Sequence, residues 1–176
     1  MFKLHQEIPV MIQEIDKGVG EILQALKEEG LDKNTLVVFT SDNGPSIAAN
    51  EQGGSAGLLK AGKGTTWEGG MREPTIFWSP SKIAHSIVDH MGSTMDLFHT
   101  FSKMAGVPLP KDRILDSYDL RPLLFKNQKG ERDHLFYYRG TELYALRVGD
   151  FKAHYKTQGT YGINGEKEIH NPPLFT

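Results

Sequence analysis

Residues 35–45 have the sequence TLVVFTSDNGP, a nearly continuous β-prone run that is followed at once by turn-forming residues. A strand without polar alternation is typical of one that is covered on both faces, as in a parallel sheet. From Pro9 to Glu29, apolar side chains recur at the three-and-four spacing of an amphipathic helix. Pro9 suits the first turn of this helix and Gly30 suits its end. A helix that leads into a buried strand predicts an α/β sheet.

The residues after this strand predict a long loop, a second strand and a second helix. Residues 53–74 contain many glycines and few periodic apolar positions, as is common in loops that carry function. Residues 75–78, TIFW, are predicted to form a strand. Residues 91–105 show helical spacing of apolar side chains, and Gly106 is the expected stop. This second helix is expected to cover the sheet.

Beyond Leu124 the sequence becomes polar and then predicts a small antiparallel sheet. Its short strand-like runs lie at residues 134–138, 143–148 and 151–155. We therefore expect residues 1–130 to be the carboxy-terminal part of an α/β domain and residues 131–176 to begin a small antiparallel subdomain. An apolar run that begins at Asn171 stops without a predicted closing element, so we expect a chain that is cut at both ends.

The composition is that of a globular domain and excludes several classes of protein. Charged residues make up 24% of the chain and the net charge is −2, without long runs of one sign, so nucleic acid is not an expected partner. No apolar run approaches the roughly 20 residues that span a bilayer, and the first residues lack the apolar core of a signal peptide. The chain has no cysteine, which excludes disulfides and thiolate metal sites within it.

Asp42 and Asn43 directly follow the first predicted strand, at the edge where open α/β sheets bind ligands. Their carboxylate and amide oxygens are hard donors that suit calcium or magnesium. Two such side chains cannot fill the roughly six to eight positions that calcium requires, so further ligands would come from elsewhere. The alternative is a simple turn, because Asp, Asn, Gly and Pro dominate turns for conformational reasons.

Residues 57–65, GLLKAGKGT, nearly match the phosphate-binding loop G-x4-G-K-S/T. The match fails because Gly64 stands where the hydroxyl residue belongs, and residues 67–70, WEGG, are not expected to start the required helix. Lys63 in a glycine-rich loop can still bind an anionic oxygen as a compact point charge. The alternative is a solvated surface lysine.

The remaining polar residues are given both a structural and a functional interpretation. Arg72 and Glu73 could form an ion pair that anchors the loop, which we favour, or could reach a substrate. The seven histidines include no His-x-His or His-x3-His pair, so a zinc site is not indicated. His154, in a predicted strand, is the histidine best placed to face a site, although most single histidines are merely packed or exposed.

Several segments, taken together and in order, resemble the type I sulfatase family. They are FTSDNGP at 39–45, GKGTTWEGGMREP at 62–74, GSTMDLF at 92–98, FYYRG at 136–140, KAHY at 152–155 and HNPPL at 170–174. The resemblance covers nearly the whole chain. Within the family, the chain resembles the arylsulfatase A and N-acetylgalactosamine-6-sulfatase groups, and EQGGS at 51–55 and YYRG at 137–140 are more similar to the second group. The family implies an alkaline-phosphatase-like α/β fold, here partial, followed by a small antiparallel sheet.

The resemblance also implies roles for individual residues. Asp42 and Asn43 correspond to two oxygen ligands of an active-site calcium, and Lys63 corresponds to a lysine that contacts the sulfate ester. We treat His154 as a further candidate for substrate binding. The rest of the loop would support Lys63 without taking part in the reaction; its candidate supporting residues are Thr65, Thr66, Glu68 and Arg72.

The family's nucleophile is a formylglycine made from a Cys/Ser-x-Pro-x-Arg motif, and this chain contains no such motif. The family's paired aspartates, which supply further calcium ligands, are also missing. The resemblance therefore implies a carboxy-terminal half of a sulfuric ester hydrolase that is inactive alone. Its implied partners are the missing amino-terminal half and a sulfated sugar or aryl sulfate as substrate.

Two other functions and the compartment stay open at this point. The chain could belong to a phosphatase or phosphodiesterase of the alkaline phosphatase superfamily, or could be a non-catalytic ion- or glycan-binding module. The run GKGTTWEGG at residues 62–70 resembles a sulfatase signature and favours the first interpretation. The compartment is not specified, but the absence of cysteine and of any Asn-x-Ser/Thr sequon favours an unglycosylated bacterial protein, exported or periplasmic.

Overall fold

The computed structural model describes residues 7–159 and 165–176. Helix α1 (Glu7–Glu28) leads through a 3-10 turn (Asp32–Asn34) into strand β1 (Val37–Thr40). Gly30 ends the helix with a φ of +67°, a left-handed conformation that costs glycine little. The predicted helix and strand are confirmed, with ends that differ by one or two residues.

Strand β1 pairs with β2 (Thr75–Trp78), and the two strands are antiparallel, with Val37 opposite Trp78. Among the described residues β1 has no other strand partner, so the parallel pairing expected from its apolar run is not found here. The apolar run predicts cover on both faces but does not specify the direction of the neighbouring strand. Phe39 remains 42% exposed, so the described residues do not supply that cover.

The connection between these strands contains more helix than expected. It includes a 3-10 segment (Ile47–Gln52) and a one-turn helix α2 (Glu68–Met71). The prediction that residues 67–70 cannot start a helix is therefore wrong for a single turn. This turn is closed by a hydrogen bond of 2.8 Å from the Arg72 amide to the Glu68 carbonyl.

Two short helices follow, α3 (Asp96–Met104) and α4 (Arg121–Lys126). The predicted helix from residue 91 begins later, at Asp96, because the Asp96 carboxylate accepts the backbone amide of Ser93 at 2.9 Å and closes a turn there. Gly106, with a φ of +69°, ends α3 as expected. Helix α4 was not predicted, because six residues are too few to show a helical period.

The carboxy-terminal part forms a four-stranded antiparallel sheet in the order β3-β4-β5-β6. Its strands are β3 (His134–Arg139), β4 (Glu142–Val148), β5 (Phe151–Thr157) and β6 (Glu168–Phe175). The first three confirm the predicted runs. Strand β6 was missed because it contains Pro172 and Pro173, which argue against a strand in sequence. An edge position tolerates them, since an edge strand has backbone groups that need no partner.

The two faces of this sheet differ in their surroundings. On one face, the register places Tyr137, Ala145 and His154 side by side, and all three are buried. On the other face, Phe151 and Phe175 are 72% and 65% exposed. The buried face therefore packs on the rest of the described chain.

None of the helices in the described ranges is long and apolar enough to cross a membrane.

Candidate active site

Two segments that the sequence singled out are in direct backbone contact. They are the DNGP turn (residues 42–45), which follows β1, and the lysine loop (residues 60–70), which ends in α2. The backbone amide of Lys63 donates to the carbonyl of Pro45 at 2.8 Å. The structure thus brings the segment that bears Asp42 and Asn43 next to Lys63.

Glycines permit this close approach. The Gly44 amide donates to the Gly70 carbonyl at 3.1 Å, and a Cβ atom at Gly44 would lie only 1.8 Å from the Gly69 carbonyl oxygen. A Cβ atom at Gly62 would lie 2.3 Å from the Pro45 carbonyl oxygen. Any side chain at Gly44 or Gly62 would push the two segments apart, since no real Cβ contact is that short.

The lysine loop is closed tightly around Lys63. The Thr65 amide and hydroxyl both donate to the Gly62 carbonyl, at 3.2 and 2.8 Å. Ala61 has a φ of +62°, an uncommon conformation for a residue with a side chain. Such backbone strain persists only where the surrounding structure enforces it.

The Lys63 side chain is exposed, and among the described residues no ion pair or hydrogen bond engages its ammonium. Lys60, in the same loop, differs because its ammonium lies 3.7 Å from the centre of the Trp67 ring. A solvent-facing ammonium without a fixed partner is available to bind an anion. The geometry is therefore compatible with the predicted sulfate contact.

The DNGP turn offers oxygen donors of the kind that calcium prefers. Asp42 is exposed and Asn43 is half-buried. Burial and the negative charge of Asp42 both raise the pKa of Glu73, and one carboxylate oxygen of Glu73 is buried without a hydrogen-bond partner. Two carboxylates that repel each other in this way suit a bound cation. The chemistry of the donors fits calcium.

These residues can supply only part of a calcium site. The described residues contain no group of three or more His, Cys, Asp or Glu side chains that could hold a metal ion. The predicted ion pair of Arg72 with Glu73 is also not among the contacts of the described part of the chain. Arg72 instead contributes its positive charge near Glu68.

Glu68 joins the lysine loop to the four-stranded sheet. Its carboxylate accepts hydrogen bonds from Arg147 on β4 at 2.6 Å and from Lys152 on β5 at 2.9 Å. Burial alone would raise the pKa of Glu68, but the hydrogen bond and charge of Lys152, together with Arg147, lower it below its ordinary value. Glu68 is therefore an ionised anchor between the two parts of the fold.

Lys152 is a buried lysine with only 3% of its surface exposed. Its ammonium donates to the Thr66 carbonyl at 2.5 Å and lies 3.5 Å from the centre of the Tyr137 ring. Burial lowers the pKa of Lys152, and the Glu68 carboxylate opposes this change. Burial and the charge of Glu68 also raise the pKa of the Tyr137 hydroxyl to about 12.

His154 lies on β5 in contact with Trp67 of the lysine loop, with ring centres 4.1 Å apart. The side chain is fully buried, and its Nδ1 atom has no hydrogen-bond partner. Burial and the positive charge of Lys152 lower the pKa of His154 to about 4. The imidazole is therefore neutral at neutral pH, and its position favours packing against the loop. The substrate contact suggested above for His154 stays a prediction.

We expect the free energy of unfolding of the chain to fall as the pH drops from about 6.5 towards 4, because the unfolded chain protonates His154 before the folded chain does. In His154→Gln, the fall in the free energy of unfolding over this pH range should be smaller by on the order of 2 kcal/mol. Urea unfolding at pH 7, 5.5 and 4.5 measures it. The exposed His85→Gln variant is the matched control. An unchanged pH slope in His154→Gln would contradict the assignment.

The sequence analysis did not single out Lys152 or Arg147. The segment KAHY at 152–155 enters the prediction only as part of the family resemblance, whereas the structure gives Lys152 an inward position on β5. Alternation gave no signal for Lys152, because the apolar residues Phe151 and Ala153 lie on the opposite face of the strand and suggest that the lysine faces solvent. Its partner, Glu68, lies 84 positions away and could not be paired with it from spacing.

Comparisons with known proteins agree with the motifs along the chain. The family model described as Sulfatase matches residues 9–107, and the model described as the C-terminal region of aryl-sulfatase matches residues 130–175. N-acetylgalactosamine-6-sulfatase of Mus musculus is 50% identical over 145 residues, and arylsulfatase A of Homo sapiens is 43% identical over 156 residues. These matches cover 81% and 85% of this chain but only 28% and 30% of the two relatives.

Solved structures show the same fold. The PsFucS1 sulfatase from Pseudoalteromonas sp. superposes with a TM-score of 0.85 at 31% identity, over 93% of this chain and 34% of that one. Ps i-CgsB, solved in complex with k-i-k-neocarrahexaose, has a TM-score of 0.76 at 31% identity, over 96% and 37% of the two chains. The predicted partial alkaline-phosphatase-like fold is confirmed. Because the Sulfatase match covers more than half of the sequence and includes both the DNGP turn and the lysine loop, the chain belongs to the sulfatase family.

Proposed function

We propose that this chain is the carboxy-terminal portion of a longer sulfuric ester hydrolase and contributes sulfate-binding and calcium-binding residues to its active site. The supporting observation is the contact between the DNGP turn and the lysine loop, with the Lys63 amide 2.8 Å from the Pro45 carbonyl. The chain spans 28% of the mouse relative's length, which leaves room for a nucleophile elsewhere. Residues 1–130 would contribute to the α/β domain and residues 131–176 would begin the small subdomain.

In this proposal Lys63 binds a sulfate oxygen and offsets negative charge as the ester bond breaks. A cation that is already in place stabilises the transition state without reorganisation, which is the usual source of large rate effects. Asp42 and Asn43 would hold calcium with ligands from outside this chain. Calcium bound there would add positive charge at the same sulfate group.

The nucleophile would come from the longer protein. The resemblance implies a formylglycine, and this chain has neither the cysteine nor the Ser-x-Pro-x-Arg sequence from which one is made. Covalent catalysis requires such a group. The chain alone is therefore proposed to be inactive.

The proposed substrate is a sulfated sugar or an aryl sulfate. Two relatives named above support this class, one as an N-acetylgalactosamine-6-sulfatase and the other as an arylsulfatase. The solvent-facing ammonium of Lys63 fits a singly charged sulfate ester as a point charge. The group that carries the ester would be recognised largely by residues outside this chain.

The experiment compares the full-length protein, found by reading the coding sequence upstream of Met1, with the 176-residue chain. We expect the full-length protein to hydrolyse 4-nitrophenyl sulfate faster than 4-nitrophenyl phosphate and to lose activity when calcium is chelated. We expect no turnover by the chain alone. Preferential hydrolysis of the phosphate would favour a phosphatase, and turnover of the sulfate by the isolated chain would refute the missing nucleophile.

A further inference from the structure

A buried cation from the small sheet holds the lysine loop at two adjacent points. The Lys152 ammonium bonds both the Thr66 carbonyl, at 2.5 Å, and the Glu68 carboxylate, at 2.9 Å. Arg147 bonds the other oxygen of the same carboxylate at 2.6 Å. Charge-assisted bonds of this length are directional as well as strong. They therefore fix the orientation of this end of the loop on β4 and β5.

The clamped residues connect directly to Lys63. Thr66 follows Thr65, whose amide and hydroxyl close the turn on the Gly62 carbonyl. Lys63 lies inside this closed turn, and its own amide is tied to Pro45. Only the backbone directs the Lys63 side chain, because among the described residues no group engages its ammonium. Any shift of the loop would therefore move this ammonium.

Stability is a weak explanation for the Glu68–Lys152 pair. Taking the Lys152 charge out of water is costly, and apolar residues of similar volume often stabilise a protein as well as a buried ion pair does, or better. Lys152 is 3% exposed and occupies a strand position that an apolar side chain could fill. The two hydrogen bonds from the Lys152 ammonium fix the orientation of the lysine loop, which an apolar side chain at this position could not do.

We propose that the ion pair between the buried Lys152 and the half-buried Glu68 positions Lys63 for the sulfate ester by fixing the lysine loop on β5, which makes Glu68 and Lys152 positioning residues for the reaction. This inference rests on the proposed function of Lys63. It assigns to the small carboxy-terminal sheet a direct part in assembling the active site. Neither residue is proposed to touch the substrate.

The test is a double-mutant cycle in the full-length protein with 4-nitrophenyl sulfate. We expect Glu68→Gln to lower kcat/KM by about 10- to 100-fold, mostly through kcat, because a small displacement of a catalytic group is costly. In a Lys63→Ala background, the same substitution should change kcat/KM by less than about threefold, since residues that act through one another are not additive. Lys152→Met should behave like Glu68→Gln in both backgrounds.

Two controls separate positioning from loss of fold. Glu142→Gln removes a carboxylate that also bonds two lysines, Lys156 and Lys167, elsewhere on the sheet, and should leave kcat/KM unchanged. If Glu68→Gln does not fold, Glu68→Asp, which keeps the charge on a shorter side chain, is measured in the same cycle.

The outcomes distinguish this inference from the proposed function. The positioning role alone would be overturned if Glu68→Gln lowered kcat/KM by the same factor in the presence and in the absence of Lys63. It would also be overturned if Glu68→Gln left kcat/KM unchanged while Lys63→Ala lowered it. An unimpaired Lys63→Ala variant would overturn the proposed function itself. A loss in kcat/KM that disappears when Lys63 is absent supports the inference.

Discussion

Lys63→Ala in the full-length protein is expected to lower kcat/KM for 4-nitrophenyl sulfate by a factor of about 10² to 10³. The reason is that a single preorganised charge contact, made to an oxygen that gains charge in the transition state, typically contributes this much to the rate. The contact with Pro45 holds the backbone of Lys63, and the exposed ammonium has no ion-pair or hydrogen-bond partner among the described residues that an anion would have to displace. Steady-state kinetics at saturating calcium measure the effect.

Two variants define the origin of this loss. Lys111→Ala removes an exposed loop lysine outside the candidate site and should leave turnover unchanged. Lys63→Arg keeps the charge but spreads it over a planar group, so we expect partial recovery at most. Turnover of Lys63→Ala equal to that of the parent protein would show that Lys63 has no part in the reaction.

The elements of the fold could largely be predicted from local patterns, whereas their pairing could not. The three-and-four spacing of α1 and the apolar run of β1 each predict an element with an apolar side to cover, and both elements are present, although Ile12 and Phe39 remain exposed. The direction of the strand beside β1 depends on how the intervening 34 residues fold back, and the structure shows an antiparallel partner, β2. Strand β6 shows the opposite problem, because Pro172 and Pro173 hide a strand that only its edge position permits.

The candidate site was predicted by resemblance and not by pattern. Considered alone, the Asp42-Asn43 pair favours a turn over a metal site, and Lys63 favours a solvated surface position over an anion site. The contact between their segments depends on Gly44 approaching the Gly69 carbonyl, and a glycine in sequence does not show which backbone it will meet. Long-range backbone contacts of this kind are visible only in the folded chain.

Asp96→Asn is expected to lower the free energy of unfolding of the chain by about 3 to 5 kcal/mol, because it leaves a buried guanidinium with only the partly exposed Asp116 carboxylate to balance its charge. Asp96 and Arg132 are both fully buried, and the Arg132 Nη2 and Nε atoms lie 2.7 and 3.0 Å from the two Asp96 oxygens. Arg132 also bonds the Asp116 carboxylate at 3.0 Å, so the pair ties α3 to the segment before β3. Urea unfolding followed by circular dichroism measures the loss.

The size of this loss should depend on burial and on which partner is removed. Asp112→Asn breaks an ion pair with Arg113 of the same 2.7 Å length in which both side chains are 65% exposed, and it should change stability little because water replaces the lost contact. An Asp96→Leu/Arg132→Met double variant should be more stable than Asp96→Asn, since removing both charges leaves neither one unpaired. Equal stability losses for the exposed and the buried pair would show that the Asp96–Arg132 contact does not hold these elements together. A double variant less stable than the single one would instead show that the hydrogen bonds from the Ser93 and Tyr118 amides to Asp96 matter more than its charge.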